Sequence, residues 1–463
     1  MSDVLASLLK LCESFKIEIE QLKAEIKRLE IENENFRSEN KALRIENAEL
    51  QERLGLNSQN SSIPSSKELY KLKKKKKKSD RKIGAQIGHE GKYRPKMEAD
   101  EVVKIELSNT CECGGEIAIS KEPYIHQKVD LPEIKPYVVE YQLQHGRCCK
   151  CGKRSRLPEG ITADTFGPKV KSTIAALSGF YKNSKREVAN IIKNIFNLDI
   201  SVGSVSNSEG RVAEKCQEAY EQIEQEVGKS EVLHIDETSH YNKGKLAWCW
   251  MFASNTASFI KLTESRGMKV LQNSKFCNRN SLVVTDRYAA YNYFADKNRQ
   301  ICWAHLIRDF ERLAHSWNIE VKVLGCYLRN VTIELFALKK ALLKNEIDVF
   351  RFTRRARKLR KRTRYYLKEI SRLLPEAIGA SRVAKNILKS ERMMWNFLDD
   401  PENIPLTNNH AEQQIRHYVV YRKNSYFTQS QRGNTFLERI ISLYLTWKQR
   451  GLNPFQNLLS IVS

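Results

Sequence analysis

Three acidic residues sit where their neighbours give them chemistry to do. Asp236 closes the apolar run Val232-Leu233-His234-Ile235, and Asp286 closes Leu282-Val283-Val284-Thr285. Glu412 lies in the amphipathic helical stretch from Asn408 to Arg416. A carboxylate at the end of a buried strand is costly to desolvate without a cation. Carboxylates are hard oxygen donors that suit Mg²⁺ or Mn²⁺, with water and phosphate completing the shell. Two such ions about 4 Å apart clamp the attacking and leaving oxygens of a phosphodiester displacement. Taken singly, each acid is ordinarily a surface group, a cap or a salt-bridge partner. Glu231, Glu237 and Glu264 compete with Asp236, and Asp309 competes with Asp286. Position favours the chosen three, since Asp236 and Asp286 each follow a run whose neighbours would be buried.

A second set of residues has the pattern of a structural zinc site. Cys111 and Cys113 stand in Cys-Glu-Cys-Gly-Gly, and Cys148 and Cys151 in Cys-Cys-Lys-Cys-Gly. Two close thiolate pairs, each followed by glycine, match what tetrahedral Zn²⁺ needs. Cys149 is a spare thiol, and His126 and His145 are alternative ligands. The chain holds 11 cysteines; the scattered remainder reads as reduced thiols of a cytoplasmic protein.

The formal net charge of +24 favours a polyanionic partner. Lys71 and the unbroken run Lys73 to Lys78, with Lys73 and Lys74 at its head, read as a tether to DNA phosphates. The stretch Arg351 to Arg362, including Arg354 and Arg355, is a second basic surface. No apolar stretch approaches the roughly 20 residues that span a bilayer, and the N-terminus has no secretion signal. The expected site is the cytoplasm.

The elements that must hold these residues follow from periodicity. Leu8, Phe15, Leu22, Leu29, Phe36, Leu43 and Leu50 recur every seven residues, interleaved with Ile19, Ile26, Asn33, Asn40, Asn47 and Leu54. This is a coiled coil with d-position leucines and a-position asparagines, which fix register and strand number. It predicts a homodimer or higher oligomer. A polar linker follows, Asn57 to Ser66. Short strands around the cysteines span about Val102 to Arg156. Helices from Phe166 to Lys215 include a helix-turn-helix, with a break at Asn197-Leu198-Asp199 and Ser201 capping the second helix. Strands and helices alternate from residue 231 to about 315. The strands are the Asp236 run, Leu246–Ala253, Ala257–Leu262, the Asp286 run and a short fifth, Ile301-Cys302-Trp303. Residues Val321 to Leu398 read as almost wholly helical. Two more helices follow, and the Pro454 region ends the fold.

With these residues in place, the chain resembles bacterial transposases of the insertion-sequence 66 family, whose catalytic core is ribonuclease-H-like with an Asp-Asp-Glu triad. The motifs that carry the likeness are His234-Ile235-Asp236-Glu237-Thr238, Thr285-Asp286-Arg287-Tyr288-Ala289-Ala290-Tyr291, Cys302-Trp303-Ala304-His305, Asn408-Asn409-His410-Ala411-Glu412, and Arg422-Lys423-Asn424 followed by Gly433. Arg287 stands where the family commonly has Gly, and Gln413 where it often has Arg. The first cysteine pair is one residue shorter than usual. The resemblance implies a multidomain α/β protein. Residues 1–56 form the zipper, 57–100 a linker, 101–158 a zinc-binding module and 159–228 a helical, DNA-binding region. Residues 229–450 form the ribonuclease-H-like domain, with an all-helical insertion at about 318–400, and 451–463 form a tail. Asp236, Asp286 and Glu412 become the catalytic triad, cutting transposon ends and joining the freed 3′-hydroxyl to target DNA, with accessory transposition proteins as possible further partners. His305, Arg416, Arg422 and Lys423 become candidates for phosphate contact or charge stabilisation. Two rivals stand beside this reading: a non-catalytic zinc and helix-turn-helix regulator, which leaves the two strand-terminal acids unexplained, and a stand-alone nuclease of the same fold.

Overall fold

The structure, a computed structural model, describes residues 2–55, 84–85, 88–91, 94–118, 120, 122–142, 144–154, 164–274, 281–373 and 378–463. The linker Asn57–Ser66 and the lysine run with Lys73 and Lys74 lie outside the described residues.

The heptad segment is one helix, α1 (Ser2–Leu54). Its d-position side chains lie in the open, Leu22 at 56% and Leu29 at 51% exposure. Its C-terminal turns face the rest of the chain, Arg37 to Ala48 lining a cavity with Trp317. Glu52 Oε1 accepts from the Trp317 N–H at 2.7 Å, and Glu49 Oε1 accepts from the Gly379 N–H at 3.1 Å.

The cysteine region is extended chain with two tight turns. The expected strands reduce to single antiparallel bridges, Thr110 with Glu116 and Arg147 with Arg154. Apolar groups here, including Val102, Ile105, Tyr124 and Tyr137, are exposed, so nothing buries a face that would hold a strand in register.

Helices α2 (Pro168–Ala175), α3 (Lys185–Phe196), α4 (Val202–Lys215) and α5 (Gln217–Gly228) follow. Between α2 and α3, Ala176–Phe180 is a π-helical turn. Ser184 and Glu187 form a reciprocal capping box on α3, while Asn197 ends it in the left-handed conformation and Ser201 caps α4 by accepting from the Ser204 N–H. Ile174, Val188, Ile192 and Val205 close a small apolar core among these helices.

A five-stranded mixed sheet is the centre of the molecule. Its strands are β1 (Val232–Asn242), β2 (Lys245–Ala253), β3 (Ser258–Thr263), β4 (Leu282–Thr285) and β5 (Arg299–Ile301), in spatial order β3-β2-β1-β4-β5. β1, β2 and β3 are an antiparallel meander; β4 and β5 run parallel to β1 and to each other. The short α6 (Lys269–Gln272) lies between β3 and β4. The fifth strand stops at Ile301, before Cys302 and Trp303. Cys302 caps α7 (Trp303–Ala314) instead, so the apolar run reads through a strand end into a helix start.

Helices α8 (Ile319–Leu343), α9 (Val349–Arg372), α10 (Ile378–Lys389) and α11 (Glu391–Met394) pack with α7 around a second core, including Trp303, Phe310, Leu335, Phe352 and Trp395. The chain then returns to the sheet through α12 (Asn409–Ser425), α13 (Gln431–Gln449) and α14 (Pro454–Val462). The expected tail is α14: Asn453 caps it, Pro454 opens it, and Leu458 and Val462 are buried. α13 closes the β3 edge. Its Glu438, Ser442 and Thr446, four residues apart, accept the outward N–H groups of Leu262, Ile260 and Ser258 at 2.7, 2.9 and 3.0 Å. That pairing removes an otherwise open sheet edge. Among the described residues, no helix is long and apolar enough to cross a membrane.

Candidate active site

The parallel register of β1 and β4 brings two of the three acids together. Val232 pairs with Leu282 and His234 with Val284. Two residues further along each chain stand Asp236, still within β1, and Asp286, one residue past the end of β4. Asp286 leaves the strand in a turn, where its Oδ1 accepts from the Tyr288 N–H at 2.8 Å. Asp236 Oδ1 accepts from the Glu237 N–H at 3.0 Å.

Glu412 comes from the first turn of α12, where the helix dipole favours an acid. The helix start is pinned to β1 by Asn408, which is 2% exposed. Asn408 Nδ2 donates to the Ile235 carbonyl at 2.7 Å, and its Oδ1 meets His234 Nδ1 at 3.0 Å. Its backbone N–H donates to Cys302 Sγ at 3.1 Å. One residue thus ties the Asp236 strand, the Glu412 helix and the start of α7.

Asp236 sits among like charges. Burial, and then the charges of Glu237, Asp286 and Glu412, hold the Asp236 carboxyl well above the usual carboxylate range. The nearby cations are committed elsewhere. Arg266 forms a forked pair with Glu237, Nε at 2.9 Å and Nη2 at 2.6 Å, and lies over the rings of Tyr288 and Trp248. Tyr291 donates its hydroxyl to the other Glu237 oxygen. Arg287 pairs with Asp309. Arg299, 2% exposed, spends its donors on Thr285 Oγ1, Asn292 Oδ1 and the Asp286 carbonyl, and burial lowers its pKa to about 10. The competing acids Glu237 and Asp309 are therefore ion-pair partners. Asp236 Oδ1 keeps a backbone donor, and its carboxyl feels the charges of Asp286 and Glu412.

The basic candidates divide. His305, on α7, feels the charges of Asp286 and Glu412 and so lies at this centre. Arg422 Nη1 donates to Thr238 Oγ1 at 2.8 Å and also to the Ser239 carbonyl, which fastens α12 to β1. Arg416 and Lys423 on α12, and Arg354 and Arg355 on α9, are exposed; Arg355 also faces Glu334 at 3.9 Å.

The four cysteines pair but do not gather. The Cys113 thiol is hydrogen-bonded to Cys111, and Cys148 to Cys151. Among the described residues, the three or more donors that come within 4.8 Å of one another are Cys302, His305 and Glu412. The turn around each pair is closed by a glycine in left-handed backbone, Gly114 at φ 85° and Gly152 at φ 71°, whose N–H returns to the first cysteine's carbonyl at 2.8 Å in both.

Sequence reasoning passed over Asn408, Arg299 and Cys302 as site residues. The signal for Cys302 was present in its Cys-x-x-His spacing to His305, hidden because the apolar run read as strand.

Residues 184–435, more than half of the chain, match the family described as the transposase IS66 family. Asp236, Asp286, Cys302, His305 and Glu412 all fall inside that match, and the four-cysteine region falls outside it. Residues 12–95 match a family of unknown function (DUF6444). No curated protein matches the chain.

Proposed function

The chain belongs to the transposase IS66 family, and from that premise we propose that Asp236, Asp286 and Glu412 are the catalytic ligands of a ribonuclease-H-like transposase. The observation that carries the reading is the cluster itself. The charges of Asp286, at the end of β4, and of Glu412, in the first turn of α12, both act on Asp236 in β1, while Arg266, Arg287 and Arg299 are matched to other partners. The strand order, a three-strand antiparallel meander joined to two parallel strands, fits the ribonuclease-H-like assignment.

Two Mg²⁺ or Mn²⁺ ions on these carboxylates would supply a polarised nucleophile and a stabilised leaving 3′-oxygen. Asp236 and Asp286 act as a pair because β1 and β4 lie side by side, with Asp236 in β1 and Asp286 in the turn that follows β4. Glu412 completes the set from a helix whose start Asn408 holds to the same strand. His305 is placed to meet a DNA phosphate beside the acids. Glu237, Arg266 and Tyr291 hold the β1 backbone under Asp236. The reaction is cleavage at a transposon end followed by transfer of the 3′-hydroxyl to target DNA, in the bacterial cytoplasm.

The remaining parts serve DNA and assembly. The exposed heptad face of α1 pairs with a second copy, holding both ends of the element in one complex. α3 and α4 form the helix-turn-helix, and exposed arginines of α9, with Arg416 and Lys423, bind phosphates. Cys111, Cys113, Cys148 and Cys151 form a structural zinc site.

Incubating the full chain with end-bearing DNA and Mg²⁺ or Mn²⁺ tests the reading. Nicked ends and joined products are expected. Asp236→Ala should keep DNA binding and lose both. Binding without any cutting would favour a non-catalytic regulator, and cutting without joining a nuclease.

A further inference from the structure

Cys302, His305 and Glu412 each offer one donor atom, and the three atoms lie within 4.8 Å of one another. A second observation points to a ligand at the same place: His305 Nδ1 is buried with no hydrogen-bond partner. A buried polar atom left unpaired is costly, and few native groups are left so. Cys302 is fully buried. Its sulfur faces the N–H groups of Asn408, Ala304 and His305; burial pushes the thiol up to about 11, so a cation bound there must displace its proton.

The donor types matter more than their number. One sulfur, one imidazole nitrogen and one carboxylate oxygen suit Zn²⁺ or another borderline transition ion, with a fourth position open. Mg²⁺ prefers oxygen donors and an octahedral shell. Tetrahedral Zn²⁺ keeps its donors about 3.5 Å apart, so side-chain rotation within this cluster is enough to close the set.

We propose that Cys302, His305 and Glu412 form an inhibitory transition-metal site, in which a Zn²⁺-like cation takes Glu412 away from the two aspartates. On binding, the cation gains a Cys302 sulfur bond and the thiol proton leaves to solvent; no oxidation or reduction occurs. Glu412 has one carboxylate, and a cation that holds it toward α7 removes it from the hard-ion set on β1 and β4. The inference rests on Glu412 being a catalytic ligand, as argued above.

Cobalt(II) is the probe. Titrating the full chain should give thiolate-to-cobalt charge-transfer bands from the four-cysteine region and from Cys302. Cys302→Ser keeps an acceptor for the Asn408 N–H, and His305→Gln removes the nitrogen without touching the sulfur. Each should bind one equivalent of cobalt fewer than the parent. Cys302→Ser should also lose its share of the band. Equal stoichiometry in the parent and in whichever variant folds would overturn the site. In the second arm, Zn²⁺ is added to Mg²⁺-dependent DNA cleavage, each protein being compared with its own zinc-free rate. The zinc concentration for half inhibition should rise at least about tenfold in both variants. Inhibition unchanged by either substitution would overturn the regulatory role. A parent that never cuts DNA removes the transposase mechanism, yet leaves the cobalt arm to decide the site.

Discussion

Two regions of this chain carry the residues proposed above as metal ligands, and they are built in opposite ways. At β1, β4 and α12 the acids are delivered by packed elements: strand register sets one spacing and the buried Asn408 sets the other. In residues 94–154 each cysteine pair sits in a preformed glycine turn, but among the described residues nothing packs one turn on the other. Among those residues, none belongs to the apolar cores. The first arrangement stores its cost as carboxylate repulsion inside a stable fold. The second, on the zinc site proposed above, would draw its folding energy from the ion. Metal should therefore change the chemistry of one region and the structure of the other.

The widest separation between the two comes from chelation. Structural zinc in small modules contributes about 10–16 kcal/mol of apparent binding energy that is also folding energy. A strong chelator should speed amide exchange at Cys111, Gly114, Cys148 and Gly152 to the unprotected rate and leave β1 and β4 protected. Equal protection in both regions, with and without chelator, would break the contrast. Next in size is Asp286→Asn. Losing one metal ligand should cost on the order of a thousandfold in end cleavage, a few kcal/mol of transition-state charge stabilisation. Thermal stability should hold or rise, because one repelling charge beside Asp236 is gone. A large fall in melting temperature would mean that Asp286 is a structural residue.

Much of this was legible before any coordinates, and the limits are instructive. The Asp236 and Asp286 strands could be read because parallel strands in the middle of a sheet are apolar on both faces, so a terminal acid stands out. Ser201 and the break near Asn197 were legible for a similar reason, since caps are local chemistry. The fifth strand was overextended because Ile301, Cys302 and Trp303 are all buried, and burial alone does not separate a strand end from a helix start. The strands around the cysteines failed for want of a partner surface. α14 was missed because a nine-residue helix at a chain end is weak on periodicity, although Asn453-Pro454 is a legible start signal. Asn408 could not be seen, since its partners, Ile235 and Cys302, lie more than a hundred positions away.

Asn408 sharpens the contrast on the sheet side. Asn408→Ala leaves the Ile235 carbonyl and His234 Nδ1 without their partner, a cost of about 1–3 kcal/mol. The catalytic effect should exceed what that stability loss explains, because Glu412 follows one turn later. The turnover rate should fall at saturating DNA while the affinity for end DNA stays the same. If affinity and turnover fell together, Asn408 would be a general packing residue and α12 would owe its place to other contacts.

The smallest effect expected is one of pH, and it too should belong to the sheet region. His240 is buried between Tyr418, Thr428 and Asn434, and His417 meets the Gly179 carbonyl at 3.1 Å. Burial lowers each imidazole from 6.5 to about 4. The folded form therefore refuses a proton that the unfolded chain accepts. Stability from this source is complete above about 6.5 and drains away as pH falls toward about 4. Within that window each histidine adds a slope of at most about 1.4 kcal/mol per pH unit. Urea midpoints measured from neutral to acid should fall, and His417→Gln should flatten the curve by one proton's share. A His417→Gln curve parallel to the parent's would show that this imidazole takes its proton in the folded state, with the carbonyl of Gly179 as its partner.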